Sequence, residues 1–195
     1  MYQSLYFVGI IPPEDIFAEV HAFKERIAEK YHSQGALRSP PHITLFPPTQ
    51  TQEAMEKQFT SLLDEIAGHH HTFEISLNGF GAFPPKVIFV KPEKELRMNV
   101  LSREIVDNYI HHISPVMELR TFKFKAHITI GYRDLTPEMF AAAWGELKNK
   151  QYKRSFTATE VALFKHDSKK WNIIHSAKLV NPIEKDAEQS LGLFG

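Results

Sequence analysis

The chain has 195 residues, 43% of them hydrophobic, a formal net charge of zero and no cysteine. That apolar content suffices for a core without a staple, and the missing thiols exclude disulfides, thiolate metal sites, iron–sulfur clusters and cysteine nucleophiles. Zero net charge argues against a long nonspecific nucleic-acid groove, which shows as a basic excess, but leaves room for a small phosphate-bearing substrate in a local cleft. The N-terminus lacks the basic region and long apolar core of a signal peptide, and no stretch approaches a membrane span. The expected setting is cytoplasmic, and the expected state a monomer.

Residues 4–11 read as a buried strand stopped by Pro12-Pro13. A helix follows to about residue 31, with Ile16, Val20, Phe23 and Ile27 spaced to share one face. Residues 32–41 read as a loop, and 42–46 as a short strand ended by Pro47-Pro48. Residues 53–67 form a second amphipathic helix with Met55, Phe59, Leu62, Leu63 and Ile66 inward. Residues 73–83 and 87–90 make a hairpin about Pro84-Pro85.

The same order then returns. A helix spans 95–110, a strand 122–130, and a helix 137–147 with Thr136 as its N-cap. A strand over 156–164 turns at 166–169 and comes back over 171–179. Each half therefore holds a strand with His-x-Thr, a helix and a long hairpin. The His-x-Thr motifs are 85 residues apart (127 minus 42) and the hairpin starts 83 apart (156 minus 73). Matching offsets indicate an internal duplication. The expected fold is α+β: a single bilobal domain over residues 1–180, its intertwined lobes approximated by halves 1–91 and 92–180. Two antiparallel sheets would face a central cleft with helices outside. The tail, 181–195, is expected to be loosely held.

The motifs are Pro41-His42-Ile43-Thr44-Leu45 and Ala126-His127-Ile128-Thr129-Ile130. Strand side chains alternate, so each His and Thr share one face while the apolar residues between them anchor the other. Two such strands across a cleft offer two imidazoles and two hydroxyls. Hydrolysis of a phosphodiester needs a base for water and an acid for the leaving oxygen. Imidazole, with an ordinary pKa of about 6.5, supplies either near neutral pH. The hydroxyls can donate to the non-bridging oxygens. One His-x-Thr alone is ordinary strand sequence; recurrence in matching halves singles these out.

The paired motifs resemble those of the two-histidine (2H) phosphoesterase superfamily, and within it the bacterial RNA 2′,3′-cyclic phosphodiesterase and 2′-5′ RNA ligase group. Residues 4–12 look like the family's opening strand. Residues 80–90 look like its first hairpin, with Lys86 where arginine is frequent. The resemblance covers about residues 4–180. It implies the bilobal fold, cyclic-phosphodiester or 2′-5′ chemistry without cofactor or metal, and His42, Thr44, His127 and Thr129 as catalytic tetrad. His127 is assigned to activate water and His42 to protonate the leaving ribose oxygen. The implied partner is an RNA terminus or small nucleotide. The alternatives are a non-catalytic RNA-end or nucleotide binding module, and an esterase for another cyclic phosphate such as ADP-ribose 1″,2″-cyclic phosphate.

By parity with the motifs, Phe46 and Arg133 are assigned to substrate binding, together with Tyr6 on the first strand. Lys125 reads as surface charge and Trp171 as sheet packing. His69-His70-His71 and His111-His112 sit at helix-to-loop junctions and are not assigned to metal; His175 reads as peripheral.

Overall fold

A computed structural model describes residues 2–181; the expectation for the tail lies outside them from residue 182 on. The strands are β1 (Gln3–Ile10), β2 (Ile43–Gln52), β3 (Phe73–Phe83), β4 (Val87–Pro92), β5 (Ile128–Gly131), β6 (Lys153–Ala158), β7 (Glu160–His166) and β8 (Trp171–Lys178). The helices are α1 (Glu14–Tyr31), α2 (Glu56–Ala67), α3 (Leu96–His112) and α4 (Pro137–Leu147). Among the described residues no helix is long and apolar enough to cross a membrane.

Helix ends follow local chemistry. α1 opens after Pro13 with Glu14 and Asp15 in its first turn, where carboxylates meet unpaired backbone N–H groups, and closes on His32 in the left-handed region. In α4 the Thr136 hydroxyl accepts from Met139 N–H, as the sequence predicts, with Pro137 in the first turn.

The ladders between these strands are antiparallel and run in the order β6-β3-β4-β5-β2-β1-β7-β8. The two predicted sheets are thus four-stranded halves of one eight-stranded sheet, joined where Ile43 pairs with Ile128. Each lobe draws on both halves of the chain. One holds β3, β4, β5 and β6 with α1 and α4 packed on it; the other holds β1, β2, β7 and β8 with α2 and α3. The predicted strand over 156–164 is in fact two, because the chain passes between lobes at Thr159: β6 pairs with β3, while β7 pairs with β1 and β8.

Two other boundaries moved. β2 continues through Pro47-Pro48 to Gln52. Val8 pairs with Phe46 and Tyr6 with Thr49, so a bulge carries the prolines past the ladder without requiring their missing N–H. The predicted strand over 122–130 pairs only from Ile128; a 3-10 turn, Met117–Thr121, occupies the approach.

The main apolar core takes Tyr6, Val8 and Ile10 of β1 and Ile43 and Leu45 of β2, with the helix faces on Ile16, Val20, Phe59, Leu63, Leu101 and Ile105. Phe7, between Tyr6 and Val8, belongs to a separate cluster with Ala162 and Phe164 on the opposite side of the sheet. The two faces of β1 thus separate the core from the cleft.

Candidate active site

The Ile43–Ile128 pair decides the site. In an antiparallel ladder the flanking residues lie opposite one another, which sets His42 across from Thr129 and Thr44 across from His127. All four side chains line one cavity of about 520 Å³ at the seam of the lobes.

Both imidazoles are held alike. His42 Nδ1 lies 2.7 Å from Pro40 O, and His127 Nδ1 lies 2.6 Å from Lys125 O. A carbonyl oxygen can only accept, so each Nδ1 carries the proton and donates it. Each neutral ring is thereby left with Nε2 as its unprotonated nitrogen. Close approach to His42 depends on Gly9: a Cβ there would stand 2.9 Å from Ile43 O and 3.4 Å from His42 Cδ2.

The rings differ in surroundings. His42 lies against Phe7 at 4.5 Å between centroids and near Phe164 at 5.6 Å. Burial pushes its pKa down to about 3, and the Lys24 ammonium and His127 add to the depression, against the bond to Pro40 O. His127 meets the edges of Phe83 and Phe89. Burial lowers its pKa too, opposed by the bond to Lys125 O. Both rings rest neutral near pH 7.

The wall carries Arg38, Lys123, Lys125 and Arg133, and no carboxylate. In a chain of zero net charge this is a local positive field suited to an anion. Trp171 and His166 line one side, with ring centroids 4.8 Å apart, and Trp171 also sets its edge on Phe7 at 4.6 Å. These rings make an aromatic shelf on the His42 side. Among the described residues no three His, Cys, Asp or Glu side chains gather as metal ligands. His70 instead meets Glu104 at 2.7 Å, and His175 meets Asp64 at 2.7 Å.

Two sequence assignments are corrected. Phe46 is fully buried against Phe59 and Tyr109, because a bulge at Leu45 breaks alternation: Gly9 pairs with Thr44 but Val8 with Phe46, so the Phe46 ring follows Val8 into the core. Tyr6 is also fully buried; its hydroxyl donates to Glu56 Oε2 at 2.8 Å on the core side. Its neighbours Leu5 and Phe7 line the cleft. Arg133 lines the cavity, but from a loop residue with φ of 70° beyond the end of β5 rather than by strand parity. Lys125, read as surface charge, is exposed and also lines the cavity, its Nζ 5.5 Å above the Phe83 ring. Trp171, read as packing, faces it as well. Lys86 sits in the β3–β4 turn, where its N–H donates to Phe83 O, away from the cavity wall.

Phe7, Arg38, Phe83, Lys123 and His166 escaped the sequence reading. For Phe7 the reason is that β1 is buried on both faces, so burial does not alternate. Arg38 closes the short 3-10 turn Gly35–Arg38 and Lys123 lies on a loop, where no periodicity exists to read; the usable signal was their closeness in sequence to the two motifs.

Comparison with known proteins bears on the family and the fold. The model of the 2′-5′ RNA ligase superfamily matches residues 12–170. A Bacillus mycoides (strain KBAB4) protein named "Putative phosphoesterase" is 30% identical over 115 residues, 58% of this chain and 63% of that protein. The chain thus spans less than two thirds of that relative's length. TT0787 of Thermus thermophilus superposes with a TM-score of 0.68 at 17% identity, covering 91% of this chain and 99% of that one. LigT of E. coli complexed with 3′-AMP does so with a TM-score of 0.65 at 14% identity, covering 92% of this chain and 100% of that one.

Proposed function

This chain belongs to the 2′-5′ RNA ligase superfamily, and we propose that within it the protein is a metal-independent phosphodiesterase for a 2′,3′-cyclic phosphate, or a related 2′-5′ linkage, of an RNA end or nucleotide. The observation that carries the reading is the matched pair of imidazoles. Both spend Nδ1–H on a backbone carbonyl, and both share one cavity with two threonines. The complex of E. coli LigT with 3′-AMP supports a nucleotide as occupant, and the cation-lined, carboxylate-free wall supports a phosphate.

In this reading one Nε2 takes a proton from water as the oxygen attacks phosphorus. The other ring, protonated at Nε2, gives its proton to the leaving ribose oxygen as the P–O bond breaks. Thr44 and Thr129 donate to the non-bridging oxygens as charge builds there. The electrostatics favour roles opposite to those assigned from sequence. His42, more deeply desolvated and beside a cation, stays neutral and serves as base. His127 takes the proton more readily once a phosphate anion is bound, and serves as acid. With a 5′-hydroxyl in place of water as the attacking group, the same steps would join a 2′-5′ linkage and free the 3′-oxygen.

The test is turnover of 2′,3′-cyclic AMP and of a cyclic-phosphate-ended oligonucleotide, side by side, with and without EDTA. We expect opening of the cyclic phosphate undiminished by the chelator. Tight binding of both without turnover would leave only the binding-module reading. Activity lost to EDTA and restored by zinc would sink the metal-free chemistry.

A further inference from the structure

Among the described residues Lys24 is the one buried charged side chain, at 1% exposure. It projects from α1, and its Nζ donates to Ala36 O at 3.1 Å and Ser39 O at 2.8 Å. Both partners are carbonyls. A buried ammonium without a carboxylate is costly to keep, so its retention calls for a role. The backbone it holds is the wall of the cleft: Gly35, Ala36, Arg38 and Ser39 line the cavity, and His42 follows three residues on. From the other side Asp134 clamps the same loop. It accepts from Ser33 Oγ at 2.7 Å and from the N–H groups of Gln34 and Gly35 at 2.8 and 2.9 Å.

The duplication supplies a control. At an offset of 82 the buried face of α1 maps onto that of α3: Ile16 on Met98, Val20 on Ser102, Ile27 on Tyr109. The 3-10 turn Gly35–Arg38 maps onto Met117–Thr121 by the same offset. Lys24 maps onto Val106. The pseudo-symmetry is therefore broken by a buried cation in one half only.

Resting on the two-histidine reading above, we propose that Lys24 is a positioning residue for one imidazole only: it fixes the Gly35–Ser39 wall beside His42, and its charge, present behind that half-site alone, widens the inequality between the two rings that burial sets. Its influence reaches His42 and not His127 in the electrostatics of the resting protein. Burial brings the Lys24 ammonium itself down to about 7, so its effect on His42 is greatest below neutrality.

The other ionisable groups around it do not offset that charge. Asp134 is committed to the loop backbone, Glu146 of α4 is paired with Arg26 and Lys30, and Glu25 of α1 faces His21. Arg38, at the end of the 3-10 turn, and Arg133, on a loop, are exposed at the rim of the cleft. About His42 the remaining titratable groups of the cavity are His127, His166, Tyr132 and cations, with no carboxylate.

The experiment is an imidazole NMR titration of the full chain, wild type and Lys24→Met, beside the pH profile of kcat/KM on 2′,3′-cyclic AMP. In the wild type His42 is expected to stay neutral through the range in which His127 titrates. In Lys24→Met the His42 midpoint moves up, that of His127 stays, and the acidic limb of kcat/KM moves to higher pH. A loss of packing alone would lower activity without moving one midpoint selectively. The proposal is overturned if His42 protonates at or above the pH of His127 in the wild type, a result that needs no variant to fold. It is equally overturned if His42 does not move in a folded Lys24→Met. Absence of turnover on every cyclic phosphodiester would sink the phosphodiesterase reading while the titration order still decides this one.

Discussion

His42 lies tilted by 31° over the Phe7 ring, whereas Phe83 and Phe89 turn their edges to His127 at 80° and 62°. The two half-sites share the motif, the Nδ1 bond to a carbonyl two residues upstream, and the neighbouring threonine. They differ in what lies behind the ring. On the His42 side are a stacked aromatic cluster and a buried lysine; on the His127 side are ring edges and the exposed Lys125. On the proposed reading, duplication gives two imidazoles held alike, and the different surroundings behind them set their protonation states apart. Acid–base catalysis requires that inequality, since two imidazoles with the same charge at the working pH cannot act as base and acid together.

The comparison can be pressed by substitution. The largest effect is expected from His42→Ala and His127→Ala, each lowering kcat on 2′,3′-cyclic AMP by about 10²–10⁴. The double variant should fall little below the worse single one, because base and acid act in one step. Additive losses would mean that the rings act separately. Thr44→Val and Thr129→Val come next, each costing about 10² in kcat with a smaller change in KM. A variant at wild-type kcat would remove that hydroxyl from the transition state.

Trp171→Ala should act on one side only. If the shelf beside His42 takes a base, stacking worth about 1–3 kcal/mol is lost as a rise in KM while kcat is spared. An unchanged KM would return Trp171 to packing alone. The smallest effect is on stability. His42 is depressed to about 3 in the folded chain against an ordinary 6.5, so between those values the unfolded chain binds more protons. Stability is full above about pH 6.5 and falls as pH drops toward 3. Chemical denaturation of His42→Phe should show a shallower acid slope than wild type, and His127→Phe a smaller change; equal slopes would erase the electrostatic difference between the halves.

Much of the fold was legible. The helices at 16–27 and 55–66 show in their spacing of apolar residues, and Thr136-Pro137 marks a helix start that the structure keeps. The His-x-Thr strands could be read because alternation is local and each motif is short. Alternation failed where backbone geometry changed within a strand. The bulge at Leu45 sent Phe46 to the core, where truncation to Ala would cost about 3–5 kcal/mol, rather than to the substrate. It failed also where both faces are buried, as in β1, so that Tyr6 was chosen and Phe7 missed.

The residue order alone determined that two His-x-Thr strands recur at matched positions, and that no cysteine could compete with them. Those are one-dimensional facts, set by spacing and composition. Tertiary structure decided the pairing of Ile43 with Ile128, the crossing at Thr159 that gives each lobe strands from both halves, and the burial of Lys24 beneath only one half-site. Those are long-range facts. Pairing across 85 residues and the desolvation of a charge depend on what the rest of the chain packs against them, which no local period encodes.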